Sequence, residues 1–84
     1  MQHAQVAVAG TATVVAQGGG DGEYVYIRTV GADIFLGGST VSSSNGFKVT
    51  TTDQPVQIVL YGDDGALYAV SSGSATVHVL RTRA

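Results

Sequence analysis

In Glu23-Tyr24-Val25-Tyr26-Ile27-Arg28-Thr29-Val30, Tyr24, Tyr26 and Arg28 alternate with Val25, Ile27 and Thr29. A period of two is the signature of a strand with one face buried and one face open. The aliphatic set is expected to fill the core, leaving the two tyrosines and the arginine outward. Gly31-Ala32-Asp33 then reads as a tight turn into Ile34-Phe35-Leu36, which makes these two strands a predicted hairpin.

The rest of the chain repeats that texture. Val, Thr and Ile account for 25 of the 84 residues, and such side chains suit a pleated, half-buried surface. Helix formers are scarce, with one Glu, one Lys, one Met and four Leu, and no segment carries a helical stripe. Further strands are predicted at Gln5–Ala9, Thr11–Gln17, Phe47–Thr51, Val56–Tyr61, Ala66–Val70 and Ala75–Thr82. Val56–Tyr61 is the most apolar and is expected to be central. In the last strand Val77 and Val79 should point inward, with Thr76 and His78 outward. Gly18–Gly22, Ser42–Gly46, Asp53-Gln54-Pro55, Gly62–Gly65 and Ser71–Ser74 read as turns, the first of them as an exposed mobile loop. The expected fold is all-β: a small antiparallel β-sandwich or barrel of about eight short strands, jelly-roll-like, without significant helix.

Length allows one domain, residues 1–84, with residues 1–5 available as an extended N-terminal arm. A chain this small buries only roughly 60–65% of its unfolded surface, so it needs a further source of stability. Disulfides are excluded because there is no cysteine, which leaves self-association as the expected staple. Charged residues make up 12% of the chain, about half the usual share, so part of the surface is expected to be covered by a neighbour. Four scattered cations (Arg28, Lys48, Arg81, Arg83) cannot build the clustered basic face that nucleic acid requires. No run approaches the roughly 20 apolar residues of a membrane helix, and Met1–Gln5 lacks the form of a secretory signal.

Catalysis finds little support. Ser71-Ser72-Gly73-Ser74 has hairpin-turn composition rather than that of a nucleophile elbow, and His78 falls mid-strand on an outer face. Asp21-Gly22-Glu23 and Asp63-Asp64-Gly65 lack the length and spacing of calcium loops and read as turns. Gly18-Gly19-Gly20 has no Lys-Ser/Thr after it and no helix to present amides to a phosphate. No catalytic residue, metal ligand or cofactor is therefore expected. Tyr24 and Tyr26 share a strand face and suit either a subunit contact or a sugar platform, with the contact favoured by the low surface charge.

Three segments belong together: Val8-Ala9-Gly10-Thr11-Ala12-Thr13; Ala32 through Val41 (ADIFLGGSTV) running on to Asn45-Gly46-Phe47; and Ala66-Leu67-Tyr68-Ala69-Val70 through Ser74-Ala75-Thr76-Val77-His78-Val79-Leu80-Arg81-Thr82. In this order they resemble a group of small β-sandwich structural modules from tailed-phage virions. The similarity spans Val6 to Thr82. Phe35 stands where Tyr is common, Lys48 where Pro is usual, and the Gly18–Gly22 loop is unusual. The resemblance implies a capsid decoration (cement) protein that needs no cofactor and sits as a homotrimer on the major capsid protein. Its location would be the outer surface of the head, after synthesis in the host cytoplasm. The alternatives are a receptor- or carbohydrate-binding module of a fibre, or a minor tail component. Tyr24, Tyr26, Arg28, His78, Arg81 and Arg83 are the candidate interface residues.

Overall fold

The computed structural model describes residues 2–17, 22–52, 55–60 and 65–83. Eight strands run in order: β1 (Gln2–Val8), β2 (Thr13–Gln17), β3 (Glu23–Val30), β4 (Ile34–Gly37), β5 (Phe47–Val49), β6 (Val56–Leu60), β7 (Ala66–Ser71) and β8 (Ala75–Arg83). They form two four-stranded antiparallel sheets, ordered β1-β8-β3-β6 and β2-β7-β4-β5. We call them sheet A and sheet B. The pairs β1·β8, β2·β7, β3·β6 and β4·β5 are nested, as though one long hairpin had been doubled over and wound into two layers. That is the jelly-roll arrangement. No described residue is helical.

The interior forms where the alternating aliphatic residues of both sheets meet. Val25 and Ile27 of β3 and Val77 and Val79 of β8 supply sheet A's share of the core; Ile34, Leu36, Val49 and Ala69 supply sheet B's. The inward set predicted for β3 and β8 is therefore the set observed.

Three expectations change. The Gly31 turn does not close a hairpin, because β3 lies in sheet A and β4 in sheet B. It is a corner that carries the chain between layers. Gly31 adopts a left-handed φ of 97°, and a Cβ there would sit 3.2 Å from the Ser74 carbonyl oxygen. The two buried hydroxyl residues serve the same corner: Thr29 Oγ1 donates to the Ala32 carbonyl (2.7 Å) and Ser71 Oγ to the Asp33 carbonyl (2.8 Å). Local sequence shows a turn but not whether its two strands pair, which depends on where β8 inserts.

Second, β6 is an edge strand rather than a central one; β8, from the far end of the chain, occupies the position between β1 and β3. The apolar side chains Val56 and Ile58 of β6 are accordingly only half-buried. Third, residues 2–5 are not a free arm. They pair with β8 in the register Gln2↔Arg81, His3↔Leu80, Ala4↔Val79 and Gln5↔His78. The readings placed on Gly18–Asp21, Asp53-Gln54 and Tyr61–Asp64 lie outside the described residues.

Candidate interface

The two outer faces of the sandwich differ. Sheet B's is covered in part by its own β4–β5 loop. Val41 is buried there, and a Cβ on Gly46 would meet Phe35 Cβ at 2.6 Å and Val41 Cγ2 at 2.7 Å. Ser42 to Gly46 closes on itself, with Asn45 Oδ1 accepting from Ser42 N (2.7 Å) and Gly46 N donating to Ser42 O (3.0 Å). Val70, opposite the outward-facing Phe35, is buried as a result.

Sheet A's outer face has no such loop among the described residues. Directly opposed residues of antiparallel strands project to the same side, so the register defines its rows. One row runs His3, Leu80, Tyr26, Gln57 across β1, β8, β3 and β6. A second runs Gln5, His78, Arg28, and a third Ala7, Thr76, Val30. Thr82, Tyr24 and Val59 form the fourth. Among the described residues, four of the six exposed large hydrophobic ones lie here: Tyr24, Val30, Val59 and Leu80, with Val30 at 48% exposure. Scattered exposed apolar residues are ordinary; several gathered on one sheet face mark a contact surface. Gln57 Nε2 donates to the Tyr26 hydroxyl (3.3 Å), steadying the ring against the sheet. Arg28, Val30 and His78 line a shallow depression in the same face.

Four of the candidate residues, Tyr24, Tyr26, Arg28 and His78, are thus brought together. Arg81 is not with them. It faces the interior end of the sandwich opposite Val25, where its Nη2 meets Glu23 Oε1 (2.6 Å) and donates to the Gln17 carbonyl (3.1 Å). A guanidinium committed to a partly buried carboxylate and to a strand of the other sheet is a clamp between layers. Arg83 ends β8 opposite Glu23, and its side chain lies outside what is described. Leu80, Val59 and Val30 belong to the surface and were not among the candidates. Leu80 shares the parity of His78, so the alternation of β8 already carried that signal. Val59 could be placed only once β6 was registered against β3.

A second apolar feature lies at the other flank. Leu36, Gly37, Phe47, Val56, Gln57, Ile58 and Leu67 line a groove of about 420 Å³ between the edges of the two sheets. Among the described residues Gln57 is the only polar side chain in that lining, so little there could orient a ligand. Among the described residues no three His, Asp or Glu side chains cluster as metal ligands. Glu23, from one of the two acidic turns, is engaged by Arg81. The chain matches no family model, no curated protein and no solved structure.

Proposed function

We propose that this chain is a structural protein of a phage virion, a decoration protein that binds the outside of the head and stabilises it through the outer face of sheet A. The observation that carries the reading is the bare sheet: Tyr24, Tyr26, Val59, Leu80 and Val30 on one face with Arg28 and His78 among them. Tyrosine rings with a guanidinium beside them are what protein contacts use as anchors, and the aliphatic residues around them add apolar area that excludes water. The resemblance of the three quoted segments to virion modules supplies the particular assembly.

The test has two parts. The copy number and position of the chain in purified particles separate the assignments: hundreds of copies on the head fit decoration, whereas a few copies at the tail or a fibre tip overturn it. Tyr26→Ala then probes the face. Tyr26 is outward and opposed by Leu80 and Gln57, so its loss should weaken particle binding by about 1–2 kcal/mol while the circular dichroism spectrum and melting temperature hold. If particle binding is kept and affinity for a host glycan is lost instead, the face is a sugar platform and the decoration reading fails.

A further inference from the structure

A sandwich of two open sheets has four edge strands, here β1 and β6 in sheet A and β2 and β5 in sheet B. Each presents unpaired backbone amides and carbonyls, which proteins protect against stray pairing by bulges, short length, charge or proline. Three of the four are protected. In β2 the register slips between Val14 and Ala16, a bulge that interrupts any further ladder. β5 has only three residues, one of them Lys48. β6 has five, and Pro55 stands directly before it.

β1 has no such protection. It is seven residues long, contains neither proline nor glycine, and pairs without a break along its whole length with β8. The first twenty residues of the chain include no Asp, Glu, Lys or Arg, so the strand and its flanks carry no like-charge barrier. His3, Ala4, Gln5 and Ala7 are all exposed. In a chain whose other three edges are blocked, an edge this long and regular points to a partner strand.

We propose that β1 pairs antiparallel with β1 of a second copy, joining two sheets A into one continuous eight-stranded sheet. The occupant follows from the strand's own composition. Centred on Gln5, the pairing is self-complementary: Gln5 meets its own copy, whose amide can both donate and accept, and His3 meets Ala7. No like charges oppose one another, and Ala4 meets Val6 on the inward side. An uncharged edge of this kind has nothing to select a charged partner, whereas its own copy brings an equally long, equally uncharged strand whose inward and outward side chains fall in step with its own. The result is a twofold dimer rather than the trimer implied by the resemblance. It also sets the two bare outer faces side by side, doubling the surface offered to a repeating lattice. The inference rests on strand order and edge composition alone, independently of the virion assignment.

The chain has no cysteine, so a single introduced thiol reports the geometry. Gln5→Cys places two sulfurs across the dyad, where opposed Cα atoms about 4.5–5.5 Å apart suit a disulfide. Under mild oxidation it should form a covalent dimer at least roughly tenfold faster than Leu80→Cys, which is exposed on the same face but away from the edge. Gln5→Lys should sediment as a folded monomer at concentrations where the unmodified chain is a dimer, because two ammonium groups would then meet at the dyad. An unmodified chain that sediments as a monomer, or a trimer whose Gln5→Cys form cross-links no faster than Leu80→Cys, overturns the proposal.

Discussion

Gly31, Thr29 and Ser71 hold the corner at which the chain leaves one sheet for the other. They act in two ways. Gly31 supplies a left-handed φ that other residues adopt only under strain, and the Ser74 carbonyl leaves little room for a Cβ. Thr29 and Ser71 satisfy carbonyls that the corner takes out of both ladders. Gly31→Ala should therefore cost about 1–2 kcal/mol. Ser71→Ala should cost about 1–3 kcal/mol, since it removes the donor to the Asp33 carbonyl and the acceptor for Gly73 N. Urea unfolding of the two variants checks both. A change of a few tenths of a kcal/mol in either would mean that the corner relaxes without strain.

At the scale of the element, strand alternation governs which substitutions stability notices and which ones binding notices. Val77 on β8 is fully buried between the layers, while the adjacent Thr76 is exposed. Val77→Ala should lower stability by about 2–3 kcal/mol, as the methyl groups removed leave a cavity that a rigid sheet fills poorly. In a domain this size that corresponds to a fall in melting temperature of roughly 10–20 °C. Thr76→Ala should move it by no more than a few degrees. Calorimetry on the pair decides; equal effects would show that β8 is not held in a single register. The same alternation places Tyr26 and Leu80 on the open face, so substitutions there should register in binding first.

For the whole molecule, the nested pairing has a kinetic consequence. Gln2 pairs with Arg81, and Val8 with Ala75, so the outermost ladder joins the two ends of the chain. Only β4·β5 joins strands that are close neighbours in sequence; β1·β8, β2·β7, β3·β6, β3·β8 and β4·β7 all require closure of long loops. Refolding should accordingly take milliseconds to seconds rather than microseconds. Stopped-flow dilution from urea, followed by tyrosine fluorescence in a chain without tryptophan, measures it. A submillisecond phase accounting for the full amplitude would mean that the β1·β8 ladder is not part of the rate-limiting step.

Read without coordinates, Glu23–Val30 and Ala75–Thr82 already determine an all-β chain, its inward residues Val25, Ile27, Val77 and Val79, and the outward row of Tyr24, Tyr26 and Arg28. Side-chain parity along a strand is a local property, set by the pleat and by which set is aliphatic, so it is legible from a single segment. Partnership between strands is not. The interlayer corner at Gly31, the edge position of β6, the pairing of residues 2–5 and the commitment of Arg81 to Glu23 and Gln17 all depend on β8 inserting between β1 and β3. That insertion is decided by how the two layers of aliphatic side chains close over one another. Such packing joins residues from opposite ends of the chain, and no window of neighbouring residues contains it.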